Sequence, residues 1–271
     1  MMYGLNERST KDLDTTVQHL ALNEKTIDEM IKFIETPEED GKQYFKFLNK
    51  RETRQEFIYN GYNLNFMYQN GKTKFKVDLD LTTGEDLLKI IPKNQTNLLF
   101  EERTIDFPGY PIEQILADKY YTMLAYGTDG TRAKDYYDMY LIPNLSKINY
   151  KEMHQMLKQT LNQRESDAKF YYGYKTIYEI KNSEYQRNLW DKWSDKQPYA
   201  KNIPFETVVD AMRDIYNNLK EANDYFRENE PEKLMPYTPT DKLMQQILIE
   251  KFSVNEDESE SDLNDDIDLD I

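Results

Sequence analysis

The chain has 271 residues, of which 38% are hydrophobic, and its 35 basic and 50 acidic side chains give a formal charge of -15 at pH 7. It contains no cysteine and two histidines, His19 and His154, which excludes disulfides, thiolate nucleophiles, cysteine-ligated zinc or iron–sulfur sites and a His-rich metal centre. No run approaches the roughly 20 apolar residues that a membrane span needs, and the first residues lack the apolar core of a signal peptide. We therefore expect a soluble, cytoplasmic protein without a membrane segment.

The first two predicted elements are a strand and a helix. Residues 9–18 are rich in Thr and alternate apolar and polar positions, which favours a strand in which Leu13 faces opposite to its acidic neighbours. Residues 23–35 have apolar side chains at helical spacing and offer Asn23 or Thr26 as an N-cap. The strand is thus followed by an amphipathic helix.

The clearest hairpin of the chain lies within residues 44–81, where the pattern changes to strands. Asn70 and Gly71 supply the positive-φ pair that a two-residue turn prefers. Apolar and polar residues alternate on both sides of this turn, so each strand has one apolar and one polar face. The polar face of the second strand carries four charged residues: Lys74, Lys76, Asp78 and Asp80.

Helical patterns dominate after Pro108. The predicted helices cover residues 111–126, 132–141, 150–161, 179–193 and 205–226, with a Gly-Thr-Asp-Gly break after the first and Pro143 ending the second. We therefore predict an α+β fold in three parts: an α/β core over residues 1–108, a helical domain over 109–254 and a disordered acidic tail over 255–271.

The predicted tail, NEDESESDLNDDIDLDI, contains nine acidic residues and no basic one, so that -15 less these nine charges leaves -6 on the rest of the chain. Such a block repels itself and cannot bury apolar area. Two interpretations stay open. The tail either aids solubility alone, or mimics nucleic acid and occupies a basic groove or partner.

Two short predicted strands each carry a pair of carboxylates at alternate positions: Asp12 and Asp14 in the first, Asp78 and Asp80 in the second. If the strands are neighbours, three or four carboxylates converge on one face, while Leu13 and Leu79 point to the core. Crowded like charges are costly without a cation, and hard oxygen ligands suit Mg²⁺ or Mn²⁺, with substrate phosphates completing the shell. The pattern favours nucleotidyl or phosphoryl transfer. The alternative is a chance D-x-D in an acidic sequence.

A second charged cluster lies on the two helices predicted after Pro108. The second of these helices carries four charged residues near its start: Arg132, Lys134, Asp135 and Asp138. The two aspartates share one helical face, and each has a basic residue one turn before it, a spacing typical of surface ion pairs worth under about 1 kcal/mol. Lys119, on the preceding helix, could instead reach a triphosphate as a point charge, with Asp118 facing outward. Spacing does not decide between these interpretations.

Three passages, in this order, resemble the AbiEii/AbiGii-type nucleotidyltransferase toxins of bacterial abortive-infection and type IV toxin–antitoxin systems, which belong to the polymerase-β-like superfamily. YGLNERSTKDLD resembles the family's R-[ST]-x-D-[IL]-D segment, and KVDLDL resembles its third-carboxylate strand. PIEQILADKYYTMLAYGTDGTRAKDYYDMYL resembles its helical Lys motif followed by R-x-K-D-x-x-D-L. A weaker match over residues 189–212 resembles the family's C-terminal helical end.

The resemblance implies a polymerase-β-like sheet with flanking helices and a metal-dependent transfer of NMP from NTP to an RNA acceptor such as a tRNA 3′ end. It also implies a cognate antitoxin and a role in phage defence, and leaves the oligomeric state open. For the metal, Mg²⁺ or Mn²⁺, the implied ligands are Asp12, Asp14 and Asp78, with Asp80 as second choice. For the nucleotide, the implied contacts are Arg8, Ser9 and Lys119, supported by Arg132 and Lys134. Asp135 receives a catalytic or organising role, supported by Asp138.

The sequence departs from the family's pattern at its start. The family has a Gly-Gly-Ser or Gly-Gly-Thr turn, which holds the triphosphate through backbone N–H groups, just before the segment where this sequence begins. We expect either a start codon set too far downstream or a gene that has lost its 5′ end, and nucleotide would then be held poorly. The alternatives to an active nucleotidyltransferase are a non-catalytic remnant or antitoxin-binding protein, and a nucleotide-dependent kinase or nuclease.

Overall fold

The computed structural model describes residues 12–17, 20, 22–37, 43–53, 61–83, 91–97, 104–164, 170 and 173–235. The strands within these residues are β1 Asp12–Val17, β2 Gln43–Thr53, β3 Gly61–Asn70, β4 Thr73–Thr83, β5 Ile91–Asn97 and β6 Thr104–Gly109. The helices are α1 Glu24–Glu35, α2 Ile112–Tyr126, α3 Ala133–Leu145, α4 Tyr150–Gln163, α5 Gly173–Asn182, α6 Glu184–Ser194 and α7 Phe205–Asn229. The predictions for Arg8, Ser9 and the acidic tail lie outside the described residues.

A four-stranded mixed sheet forms the first half, in the order β1-β4-β3-β2. β1 runs parallel to β4, and the other neighbours are antiparallel. α1 covers one face, where Ile27 and Ile31 join a core with Leu64, Phe66 and Leu81. As predicted, Asn23 caps α1, because its side-chain Oδ1 accepts the backbone N–H of Thr26 at 3.0 Å.

The predicted hairpin is confirmed, with its loop one residue later than expected. Asn70 remains in the ladder opposite Thr73, so the two loop residues are Gly71 and Lys72. Gly71 has a φ of 57°, which glycine adopts without the steric cost that a Cβ would bring.

One prediction for the first half is wrong. Leu13 does not point into the core, since it is 59% exposed, although Leu79 on the neighbouring strand does pack against that core. β1 is the edge strand of the sheet, and the buried residues of α1 pack against core residues of β3 and β4 instead. Leu13 on β1 therefore stays exposed.

The helical half has its own hydrophobic cluster, built from α2 to α7 around the fully buried Leu116, Met139, Leu157 and Trp190. α3 passes through Pro143 to Leu145 instead of ending there. Proline removes only one backbone donor, and the following Ser146 N–H still bonds to the carbonyl of Ile142 at 3.0 Å.

The single helix predicted over residues 179–193 is two helices, α5 and α6. The break falls at Ser183, whose hydroxyl accepts the backbone N–H of Gln186 at 3.3 Å and so caps α6. β5 and β6, which pair in a separate two-stranded antiparallel sheet, were not predicted individually, because β5 (IPKNQTN) is rich in residues that strands disfavour.

The predicted α+β class is confirmed, with a mixed sheet, flanking helices and a mainly helical second half. The domain boundary at residue 108 stays a prediction. Within the described ranges, no helix has the length and apolar character that crossing a membrane requires.

Candidate active site

The face of the four-stranded sheet opposite α1, which we call the polar face, carries the predicted carboxylates. Strand register aligns them in two neighbouring cross-strand rows of Cα positions. The first row is Asp12, Asp78, Asn65 and Asn49, and the second is Asp14, Asp80, Asn63 and Arg51. The condition set by the sequence, that the two D-x-D strands lie side by side, is therefore met.

Two asparagines of β3 orient the β4 carboxylates. Asn65 Nδ2 donates to Asp78 Oδ1 at 2.6 Å, and Asn63 Nδ2 donates to Asp80 Oδ1 at 2.7 Å. Asn65 Nδ2 also donates to Asn63 Oδ1 at 2.8 Å, which links the two rows. Sequence reasoning missed both asparagines, although the polar positions of the alternating stretch YNLNFMY carried the signal.

An open hollow of about 560 Å³ lies over these rows. Its lining combines acidic, basic and amide side chains: Asn49, Arg51, Asn63, Asn65, Lys76, Asp78 and Asp80. A polar, solvent-open hollow with both charge signs can accept a phosphorylated ligand rather than an apolar one.

The donor chemistry of the two rows fits a hard divalent cation, because carboxylate and amide oxygens are the ligands that Mg²⁺ and Mn²⁺ prefer. Among the side chains that the structure describes, no group of three or more carboxylates or imidazoles is spaced to hold a metal ion. The side chain of Asp12 is outside that set, while its backbone position opposite Asp78 is inside it.

The second predicted cluster is a buried ion triad between α2 and α3. Lys119 Nζ lies 2.9 Å from Asp135 Oδ1 and 2.7 Å from Asp138 Oδ2. The side chains are 18%, 6% and 2% exposed respectively, so this is no surface ion pair. Burial alone would lower the pKa of Lys119, but the carboxylates of Asp138 and Asp135 outweigh it and raise that pKa above its ordinary value. The lysine is therefore charged at neutral pH.

A cavity of about 310 Å³ adjoins this triad at the turn between α2 and α3. Lys119, Arg132 and Asp135 line it, together with four residues of the turn: Gly127, Asp129, Gly130 and Thr131. Arg132 reaches Asp135 Oδ2 only at 4.0 Å and is 65% exposed. Lys134 is exposed and does not line the cavity.

A buried glutamine, which the sequence reasoning missed, holds the turn beside this cavity. Gln186 of α6 is fully buried, and its Nε2 donates to the carbonyls of Thr128 at 2.5 Å and Gly130 at 2.8 Å. Its Oε1 accepts the hydroxyl of Tyr136 at 2.8 Å. Both N–H donors of the amide head and one acceptor position of its oxygen thus bond to the cavity wall.

Asp118 does not face outward as expected. Its Oδ1 accepts from Gln114 Nε2 at 3.2 Å and from Thr160 Oγ1 at 3.3 Å, and lies 3.5 Å from the guanidinium of Arg164. Asp118 therefore fastens α2 to α4.

A hydrogen bond connects the two halves of the chain near the carboxylate rows. The hydroxyl of Tyr110, just before α2, bonds to the hydroxyl of Thr16 on β1, which also bonds to Thr82 of β4 at 3.0 Å. Thr16 follows Asp14 by two residues, and Lys119 lies about two helical turns beyond the start of α2.

The family model for the nucleotidyl transferase AbiEii toxin of type IV toxin–antitoxin systems matches residues 1–228, and the chain belongs to this family. It is accordingly a nucleotidyltransferase of the toxin–antitoxin class. Family membership implies an NTP substrate and an antitoxin partner.

Two crystal structures from Helicobacter pylori match as well. One is described as a candidate nucleotidyltransferase, with 14% identity and a TM-score of 0.40, and the other is JHP933, with 15% identity and a TM-score of 0.35. Each match covers 84% of both chains. No curated protein matches the sequence significantly.

Proposed function

We propose that this protein uses a divalent cation, Mg²⁺ or Mn²⁺, to transfer NMP from an NTP to an RNA acceptor such as a tRNA 3′ end. The observation that carries the proposal is the register of β1 and β4, in which Asp12 stands opposite Asp78 and Asp14 opposite Asp80. Carboxylates from two adjacent strands are then close enough in the backbone to share a cation.

In the proposed reaction, an acceptor hydroxyl loses its proton to solvent water and attacks the α-phosphorus of the NTP, a new P–O bond forms, and pyrophosphate leaves with the electrons of the broken bond. Asp12, Asp14 and Asp78 would hold the cation, with Asp80 as the alternative to Asp78, since Asn65 and Asn63 bond to these two in the same way. A bound divalent cation would activate the hydroxyl and neutralise charge on the leaving group.

The triad supports the phosphate-binding side of the proposed site. Lys119 Nζ donates to Asp135 Oδ1 and forms an ion pair with Asp138 Oδ2, and it lines the cavity, where a further N–H can meet a phosphate oxygen. Arg132, which lines the cavity and is largely exposed, adds a second positive charge, and Lys134 keeps the supporting role that the family resemblance gives it. Arg8 and Ser9 keep the nucleotide contact that the family resemblance gives them.

The biological consequence follows from the proposed acceptor. A tRNA with a modified 3′ end cannot take part in translation, so growth stops until the cognate antitoxin intervenes. The same arrest would limit phage multiplication, as in abortive infection. Both substrates are cytoplasmic, and the proposed reaction places the protein there.

The test incubates the purified full chain with Mg²⁺, total tRNA and NTPs labelled on the α- or the γ-phosphate. We expect α-label on tRNA and a mass increase of one NMP per molecule. Asp14→Asn, Asp78→Asn and Asp80→Asn are compared with Asp210→Asn, an exposed aspartate of α7. Substituting a residue that only supports a metal ligand typically lowers metal affinity or activity by about 10–100-fold. Loss of a ligand itself should therefore lower the transfer rate by about 100-fold or more.

The two β4 variants also assign the third ligand, which is the one whose loss has the larger effect. Transfer of γ-label with a phosphate mass increase would identify a kinase and contradict the proposal. So would transfer by the wild-type protein that is insensitive to all three substitutions on β1 and β4.

A further inference from the structure

A basic surface adjoins the carboxylate rows on the polar face. Between those rows and the β3–β4 turn lie two more cross-strand rows: Lys76, Met67 and Lys46 in the nearer one, and Lys74, Gln69 and Tyr44 in the farther one. Lys72 lies in the turn itself. We call the basic residues of this end the hairpin lysines: Lys46, Lys72, Lys74 and Lys76. All four are exposed.

Within the part of the chain that the structure describes, none of the hairpin lysines forms a salt bridge or a hydrogen bond. By contrast, Lys50, which belongs to the opposite face, contacts Glu24 and lies 3.4 Å from Asp28 of α1. Four uncompensated positive charges on one sheet end stand out in a chain of net charge -15. Such a local patch is suited to a polyanion.

The basic surface and the carboxylate rows are continuous. Lys76 lines the same hollow as Asp78 and Asp80, and Arg51 stands at its β2 side. Lys76 is about 7 Å along the strand from Asp78, whereas Lys74 is about 20 Å from Asp80 at roughly 3.3 Å per residue. A nucleotide centred on the carboxylates would therefore leave the turn end of the surface empty, while a chain of phosphates can follow it.

We propose that the hairpin lysines bind the backbone phosphates of the RNA acceptor and direct its 3′ end toward the carboxylate rows. The identity of the acceptor rests on the proposed function. The surface itself rests on the charge and the strand register of these lysines. Lysines suit this task because point charges on flexible stems bind phosphates without reading sequence.

The experiment measures binding of a fluorescently labelled single-stranded oligoribonucleotide to the full chain at several salt concentrations, without NTP. The variant is Lys72→Gln/Lys74→Gln, at two hairpin lysines that do not line the hollow. The control is Lys192→Gln/Lys201→Gln, which makes the same charge change at two exposed lysines of the helical half. Circular dichroism verifies folding, and NTP binding is measured separately on each protein.

Each phosphate contact contributes a slope of about -0.7 to the dependence of log affinity on log salt for a single strand. Because the hairpin variant lacks two such contacts, its slope should be less negative than that of the wild type by about 1.4. Between about 50 and 200 mM salt, the wild type should therefore lose about sevenfold more affinity than the variant. The control should behave as the wild type, and NTP affinity should not change in either variant.

Equal salt slopes for the hairpin variant and the wild type would overturn the proposal. A loss of NTP affinity with RNA binding intact would overturn it too, because the lysines would then belong to the nucleotide site. Because RNA binding is measured without NMP transfer, its result can be interpreted even if no transfer occurs. A change of slope without NMP transfer would support the RNA-binding surface and contradict the proposed function.

Discussion

Replacing Lys119 with methionine removes a cation that lies between two buried carboxylates. Lys119 Nζ lies within 3 Å of both Asp135 and Asp138, whose side chains are 6% and 2% exposed. Removing one partner of a buried pair costs about 3–5 kcal/mol, because it leaves an uncompensated buried charge. Arg132, at 4.0 Å, offers partial compensation to Asp135 only. We therefore expect Lys119→Met to lower the free energy of unfolding by about 3–5 kcal/mol.

The assay is urea denaturation followed by tryptophan fluorescence, because both tryptophans, Trp190 and Trp193, belong to the helical cluster. The raised pKa of Lys119 means that its contribution is complete at neutral pH and is lost only as the pH rises through that value. At pH 7 the assay therefore reports the whole effect. Lys220→Met breaks an exposed 3.1 Å pair with Asp224 and should cost under about 1 kcal/mol.

A second substitution separates charge from packing. Adding Asp138→Asn to Lys119→Met removes the stranded charge and should recover part of the lost stability. If Lys119→Met costs no more than Lys220→Met, the triad is not the buried electrostatic unit described here. If Lys119→Met is costly but Asp138→Asn recovers no stability, the loss comes from packing, and the triad does not stabilise the fold through its charges.

Three further predictions concern the pH, the turn and the tail. Burial lowers the pKa of His154 to about 4, so below about pH 6.5 the unfolded chain binds a proton that the folded chain does not bind. The free energy of unfolding should therefore fall by about 3 kcal/mol as the pH is lowered from 6.5 to 4, and His154→Gln should reduce this fall in urea titrations. Gln186→Leu leaves the carbonyls of Thr128 and Gly130 unbonded, so we expect faster hydrogen exchange over residues 127–131 and a rise in the KM for NTP larger than the fall in kcat; unchanged exchange contradicts the assigned role. Deleting residues 255–271 removes nine negative charges and should strengthen RNA binding mainly at low salt, whereas unchanged binding supports the solubility interpretation.

The carboxylate rows could be predicted because period-two alternation is a local property of strands. A turn signal at Gly71 and alternating neighbours are enough to give the outward set of β4, including Asp78 and Asp80. The sequence left open whether β1 lies next to β4. That pairing is a long-range contact across more than 60 residues, which local patterns do not encode.

The features that were missed depend on tertiary packing. The partner of Lys119 could not be chosen from spacing, since a phosphate contact and an ion pair need the same residue types, and only burial between α2 and α3 identifies the triad. α3 continues through Pro143 because packing overrides a single lost donor. Leu13 is exposed because β1 ends the sheet order. Gln186 lies 50 residues from Tyr136, and its role follows from geometry alone.

The proposed function requires that β1 and β4 together hold a divalent cation on the polar face. Binding of Mn²⁺, followed by electron paramagnetic resonance in the presence of a non-hydrolysable NTP analogue, tests it without requiring turnover. Asp14→Asn and the substitution of the β4 ligand, Asp78→Asn or Asp80→Asn, should each weaken Mn²⁺ binding at least about tenfold, while Asp210→Asn should leave it unchanged. Equal Mn²⁺ binding by the wild type and by all three polar-face variants would contradict it.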